Sequence, residues 1–140
     1  MTRCNNWPAA LALFVEEKRG QPFAWGENDC ALFVCDWLTI LTGTDPASKL
    51  GFRGRYHTAL GAVRVMQPHG GVSGIARSWC SAQNWLECRA IAAGRGDVIL
   101  AIENGRESLG VCLGSRSVFA GAAGAEFRST STCVTAWRVS

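Results

Sequence analysis

The hydrophobic pattern of this chain changes period near residue 84, and this change constrains the fold more than any other feature. Before it, apolar residues recur at helical spacing in four segments, at 7–19, 30–42, 56–66 and 72–80. After it, turns separate short apolar or alternating runs, at 85–91, 97–102, 108–113, 117–120 and 133–139. Helices followed by strands predict an α+β fold, with a helical part at 1–82 and an antiparallel sheet, closing into a partial barrel, at 83–140.

Length and composition predict one globular domain over residues 1–140. The chain is 48% hydrophobic and 18% charged, which is typical of a folded protein with its own core. No apolar run reaches the roughly 20 residues of a membrane helix, so no membrane span is expected. The net charge is +3 and the arginines are scattered, so no nucleic-acid partner is expected either.

The segment before the second predicted helix points to a reactive thiol. That helix, from Cys30 to Thr42, is apolar on nearly every side and is expected to lie at the centre of the fold. Asn28 or Asp29 can cap it, which places Cys30 on its first turn. A helix N-terminus lowers the pKa of a thiol there, so Cys30 is the candidate nucleophile.

The other cysteines give no sign of a cofactor. The chain has seven cysteines, an odd number, at irregular spacings and with no Cys-x-x-Cys pair. This pattern favours reduced thiols over a disulfide framework. A zinc ion or iron–sulfur cluster bound by four distant cysteines is the alternative, although no ligand spacing indicates it. No cofactor is therefore predicted.

Several motifs, in order, resemble those of NlpC-type papain-like cysteine peptidases. Residues 22–26 and 29–34 resemble the family's aromatic turn and its Asp-Cys-Ser-Gly-Leu-Val helix start. Residues 96–100 resemble its Gly-Asp-Leu-Val strand, and residues 108–114 resemble its His-Val-Gly-Ile-Tyr-Leu-Gly strand. The resemblance covers about residues 20–121. It implies a papain-like fold in which the Cys30 helix packs on the C-terminal sheet, and it carries Cys30 over as the nucleophile.

A narrower resemblance concerns phage proteins. The run from Phe23 to Cys30, with the later Gly96-Asp97-Val98 and the closing Ala136-Trp137, resembles a family of small proteins encoded among the tail genes of siphophages and prophages. This resemblance implies that the protein is made in the host cytoplasm and then occupies the virion tail tip. Its expected partners are other tail-tip and hub proteins, and peptidoglycan is a further candidate.

The chain departs from the peptidase pattern where the catalytic base should stand. Ser108 occupies the position of the family's histidine, and Phe23 that of a tyrosine in the turn. The polar residue that would orient the histidine falls near Ala120 or Gly121, and neither can do so. Without a positioned base, a thiol of ordinary pKa is only a few per cent thiolate at pH 7.

Two histidines remain as candidate bases. His57 lies on the third predicted helix and His69 in the Pro-His-Gly-Gly turn after it, and either would have to fold back toward Cys30. Asp29 is the nearest carboxylate in sequence, and we expect it to serve as a helix cap.

Three functions follow from these observations. The preferred one is a structural protein of the tail tip or of tail assembly, with a peptidase-like fold that has lost catalysis. The alternative is a cysteine endopeptidase or amidase that cuts peptidoglycan stem peptides during infection, with His57 or His69 moving the proton. The third is a thiol-dependent acyltransferase unrelated to phages.

Overall fold

Helices come first and strands second, as the change of period predicts. The computed structural model describes residues 2–139, so the predicted domain limits at 1 and 140 lie outside the described residues. The helices are α1 (Trp7–Arg19), α2 (Leu32–Thr42), α3 (Pro46–Lys49), α4 (Ala59–Met66) and α5 (Gly71–Ala82). The strands are β1 (Leu86–Arg89), β2 (Val98–Glu103), β3 (Arg106–Cys112), β4 (Arg116–Gly121), β5 (Gly124–Ser129) and β6 (Thr135–Arg138).

The six strands form one antiparallel sheet in the order β1-β6-β2-β3-β4-β5. The α+β prediction is confirmed, but the expected closure into a partial barrel is wrong, because the edge strands β1 and β5 lie at opposite ends of an open sheet. Helix α1 packs against the β5 edge instead. A side chain at Gly124 would collide with the Arg19 carbonyl oxygen, which explains the glycine there.

Three local predictions need correction. Strand β5 is not predicted from the sequence, because Phe127 is its single large apolar residue and no alternation marks it. The short helix α3 is not among the predicted helices; it forms because Asp45 accepts the Ala47 N–H and Pro46 begins the helix. The third predicted helix begins at Ala59 rather than residue 56, because the Thr58 side chain caps it by accepting the Gly61 N–H.

The central position of α2 is confirmed. Phe33, Trp37 and Leu41 are completely buried between α1 and the sheet. Phe14 of α1 packs against two of these side chains, at ring-centroid distances of 5.1 Å to Phe33 and 5.5 Å to Trp37. The Trp37 indole N–H donates to the Gly96 carbonyl at 2.9 Å, which ties α2 to the start of β2. No helix within residues 2–139 is both long enough and apolar enough to cross a bilayer.

Strands β3 and β4 separate early, and this opening positions the candidate site. They pair at Val111–Val118 and Cys112–Ser117 and then diverge. The segment 23–30 fills the gap between them. The Phe23 N–H donates to the Gly121 carbonyl at 2.9 Å on the β4 side, and the Leu109 N–H donates to the Cys30 carbonyl at 3.0 Å on the β3 side.

Gly110 sits at the point where the two strands diverge, and its replacement tests this packing. A methyl group at Gly110 would lie 2.5 Å from both the Phe119 ring and the Val118 carbonyl oxygen. We expect Gly110→Ala to lower the free energy of unfolding by about 1–3 kcal/mol in urea titrations. Gly20→Ala is the matched control, because a methyl group at Gly20 meets nothing within 4 Å. Equal stability of the two variants would contradict the described packing.

Candidate functional site

A buried carboxylate organises the segment before α2. Asp29 is fully buried, and its Oδ1 accepts the N–H groups of Ala31 at 3.1 Å and Leu32 at 2.9 Å. Its Oδ2 accepts the Gly26 N–H at 3.0 Å and the Tyr56 hydroxyl at 2.7 Å. Asp29 therefore accepts the N–H groups of the first residue of α2 and of the residue before it, although the N-cap position itself is Ala31, and the same carboxylate also fixes the preceding turn.

Asn28, the other candidate cap, has a different role. Its side-chain oxygen faces Lys18 Nζ at 3.4 Å, and its amide nitrogen donates to the carbonyls of Gln21 and Pro22, each at 3.2 Å. Lys18 in turn pairs with Asp36 of α2 at 2.7 Å. Asn28 therefore joins the turn to α1 and does not cap α2.

Cys30 lies just before α2 rather than on its first helical turn, since the helix begins at Leu32. Burial and, with a smaller effect, the negative charge of Asp29 raise the pKa of the Cys30 thiol to about 12. Arg106 acts in the opposite direction with a smaller effect. The predicted lowering of this pKa is therefore wrong. Desolvation and the Asp29 charge outweigh the helix N-terminus, and the thiol is protonated at neutral pH.

The structure does not bring either histidine into hydrogen-bonding contact with Cys30. Within residues 2–139, the cysteine sulfur atoms that form hydrogen bonds are those of Cys112 and Cys133. The Cys30 sulfur therefore forms no hydrogen bond with the imidazole of either histidine. His57 is exposed in the loop before α4, not on a helix, and its Nδ1 packs against Gly26. His69 is exposed in the short 3₁₀ helix that precedes α5. Neither histidine is among the residues that line the groove containing Cys30.

Ser108 lies next to Cys30 along the backbone but faces another cavity. Leu109, the residue after Ser108, makes the hydrogen bond to the Cys30 carbonyl described above. The Ser108 side chain lines a polar cavity of about 540 Å³, whereas Cys30 lines an apolar groove of about 450 Å³. Trp25 lines both and so forms a wall that they share.

The polar cavity contains arginine and glutamate side chains of opposite charge. Arg128 pairs with Glu103 at 3.3 Å and with Glu126 at 3.7 Å, and Arg106 is a further cation at the rim. Ala120 and Gly121, at the positions where the peptidase family places its orienting residue, contribute to the wall of this cavity. The cavity therefore offers Ser108 no imidazole and no orienting side chain at those two positions.

The Cys30 groove has mostly apolar walls. We use this name for the groove lined by Cys30, Trp25, Met66, Val72 and neighbouring residues of α4 and α5. Val63 of α4 extends the lining outward to the surface. The groove is open to solvent, and it places the thiol among hydrocarbon side chains rather than beside a base.

The cysteines do not gather into a metal centre in the described part of the chain. All seven are free thiols. Within residues 2–139, no group of three or more histidine, cysteine or acidic side chains is arranged to hold a metal ion.

Tyr56 is the site residue that the sequence does not reveal. The sequence predicts it at the start of a helix, but it lies in the preceding loop with a buried side chain, and its hydroxyl donates to Asp29. Burial and the bond to Asp29 both raise the pKa of Tyr56. Position 23, where the peptidases have a tyrosine, holds Phe23 in this chain. The tyrosine hydroxyl that contacts the turn comes from Tyr56 instead. One hint in the sequence is that Tyr56 is the single tyrosine of the chain.

Removing the Tyr56 hydroxyl tests the support of Asp29. Tyr56→Phe leaves a buried carboxylate oxygen with one partner fewer, and we expect the free energy of unfolding to fall by about 1–3 kcal/mol in urea titrations. Thr132→Val is the control, since it removes an exposed hydroxyl that donates to the Ser129 carbonyl. A loss no greater for Tyr56→Phe than for Thr132→Val would mean that the hydroxyl does not support Asp29.

Alkylation tests the protonation state of Cys30. At pH 7.5 we expect iodoacetamide to modify Cys30 at least about 100-fold more slowly than the exposed Cys4, because so little of the thiol is ionised. Peptide mass spectrometry gives both rates in one sample. The Cys30 rate should rise steadily as the pH increases to 10. A rate that levels off with a midpoint below pH 7 would show the thiolate expected of a nucleophilic cysteine.

Comparison with known proteins gives one match. No curated protein and no solved structure is significantly similar to this chain. The model of one domain family, described as a domain of unknown function, matches residues 2–139, which is nearly the whole chain. The chain therefore belongs to the DUF6950 family.

Proposed function

We propose that this protein is a structural component of a phage tail tip, with an NlpC-type papain-like fold that does not use its cysteine for catalysis. The observation that carries the proposal is the state of Cys30. The thiol lines an apolar groove, its burial raises its pKa, and the neighbouring strand position, where a peptidase would carry histidine, holds Ser108.

The contact between the Cys30 segment and β3 supports the resemblance to this fold. The hydrogen bond from Leu109 to the Cys30 carbonyl brings the backbone of β3 at position 108 beside the Cys30 segment, as the order of motifs in the peptidases would require, although the Ser108 side chain lines the polar cavity and not the Cys30 groove. General-base assistance contributes roughly 10²–10⁴ in rate. A chain with the nucleophile position but with serine at the base position would lose that factor, which favours a binding role.

Several large apolar side chains of the protein are exposed. Ile91 is 79% exposed, Leu86 67% and Leu60 60%, and these side chains lie on different elements. Large apolar side chains on the surface mark protein contacts when they form patches rimmed by polar groups. Tail-hub proteins are the partners that the resemblance implies.

A cysteine peptidase or amidase acting on peptidoglycan is the second candidate, and one observation favours it. His57 lies in an exposed loop and already packs against Gly26, in the turn that leads to Cys30. A movement of this loop toward the thiol would supply a base, and Cys30 would then attack the amide carbonyl of a stem peptide.

Hydrolysis of purified peptidoglycan separates the two candidates. We expect the wild-type protein and Cys30→Ala to release equal, background amounts of new amino groups from sacculi. Cys4→Ala controls for the loss of a thiol elsewhere. Release by the wild type and by Cys4→Ala, but not by Cys30→Ala, would establish the peptidase and overturn the structural proposal.

Genetic complementation tests the structural role directly. In a phage that encodes this protein, we expect deletion of its gene to abolish functional tails, and Cys30→Ala to restore normal plaque numbers. The protein should also co-purify with the tail-tip fraction. A folded Cys30→Ala protein that fails to restore plaques would show that the thiol is required.

A further inference from the structure

The Cys30 groove has the size and lining of a binding site. Its volume of about 450 Å³ falls within the roughly 300–1,000 Å³ range of ligand pockets. Trp25, Met66 and Val72 provide apolar walls, and Gly70 and Gly71 leave one side without side chains. Little in the groove offers a hydrogen bond, so an apolar group is the chemistry that it accepts.

The apolar surface continues from the groove onto the outer face of α4. Leu60 is 60% exposed and Val63 is 57% exposed, and they are three positions apart, so they lie on one face of the helix. Val63 also lines the groove. Groove and helix face together form a continuous apolar strip that no described residue covers.

The part of the chain that carries this strip has an excess of positive charge. Residues 46–86 contain no aspartate or glutamate, but they contain five lysine or arginine residues. Arg53 and Arg77 pair with carboxylates from elsewhere in the chain. Arg55 and Arg64 are exposed and form no ion pair with any residue in 2–139. Arg64 follows Leu60 by four residues, so it projects from the same face of α4.

Asp29 and Glu107 are engaged within the fold, whereas Glu27, in the turn that leads to Cys30, is exposed and forms no ion pair with any residue in 2–139. Asp29 is buried with four hydrogen bonds. Glu107 accepts the Ser73 N–H at 3.3 Å, at the start of α5. The two therefore leave the arginines of α4 and its preceding loop available for charges from outside.

We propose that the Cys30 groove and the adjoining face of α4 bind an acidic amphipathic segment of a partner protein. Apolar side chains of that segment enter the groove, and its carboxylates face Arg55 and Arg64. An amphipathic helix fits, because anchors at positions i, i+3 and i+4 match a short groove. This inference rests on the proposed function for the origin of the partner, another tail protein, and adds its chemistry and docking surface.

The shape of the site favours a protein segment over a lipid surface. An anionic membrane would also attract a strip of leucine, valine and arginine. A recessed groove is filled by side chains that project into it, and the flat surface of a bilayer would leave it empty. The membrane alternative is therefore kept as an outcome of the test.

Selection from a random peptide library tests the proposal with the whole protein. A displayed library of 16-residue peptides is selected on immobilised protein, and enriched peptides are synthesised and measured by fluorescence anisotropy. We expect enrichment of glutamate- and aspartate-rich peptides with apolar residues at helical spacing. Their affinity should fall as salt increases, because charge attraction contributes to it. Bound peptide should also shield Cys30, and not Cys4, from a thiol reagent.

Surface variants locate the binding site. We expect Leu60→Ser and Arg64→Glu each to weaken binding at least tenfold. Leu13→Ser is the matched control, because Leu13 is 64% exposed on α1, and it should bind like the wild type. Circular dichroism and urea titration establish that each variant is folded.

Four results would overturn the proposal. These are no enrichment, enrichment of peptides without acidic residues, binding insensitive to Leu60→Ser, and binding to vesicles of anionic lipid that depends on Leu60 in the absence of peptide binding. The selection uses no phage component. Failure of the selection would therefore not contradict the tail-tip proposal. Absence of the protein from purified tails would not contradict the binding of acidic peptides in the groove.

Discussion

Asp29 is a buried carboxylate whose charge is stabilised by three backbone N–H groups and the Tyr56 hydroxyl. A buried charge without such partners would cost several kcal/mol, so these bonds hold the turn in one conformation. This turn fills the opening between β3 and β4, and the hydrogen bond from the Leu109 N–H to the Cys30 carbonyl attaches it to β3. The positions of α2, the Cys30 groove and the polar cavity all depend on this carboxylate.

The same interaction explains why Cys30 is a poor candidate for a nucleophile in this structure. A helix N-terminus favours a thiolate, but the N–H groups at this one are already bonded to Asp29. The Asp29 charge and burial both favour the neutral thiol. A residue that makes the turn rigid therefore keeps the neighbouring sulfur protonated. This arrangement suits a structural role and leaves the apolar groove free for a partner.

Local signals in the sequence predict much of the fold. The change of period separates helices from strands, and the apolar circumference of residues 30–42 predicts a central helix. Strand β5 escapes prediction because Phe127 alone marks it, and it forms by pairing with β4. The site is harder to predict. Motif spacing places Cys30 beside Ser108, but the bond from Tyr56 to Asp29 joins segments 27 residues apart. No local pattern in the sequence predicts that contact. None predicts that burial and Asp29 raise the pKa of Cys30.

The protonation state of Cys30 is the quantity on which the account depends, and NMR of protein labelled with ¹³C at cysteine Cβ measures it directly. The Cβ shift of a thiol changes on ionisation, and Cys30→Ala assigns the signal. We predict that the Cys30 Cβ signal stays at its thiol position from pH 6 to about 10. A titration with its midpoint below pH 7 would contradict the account, because it would show a thiolate prepared for catalysis.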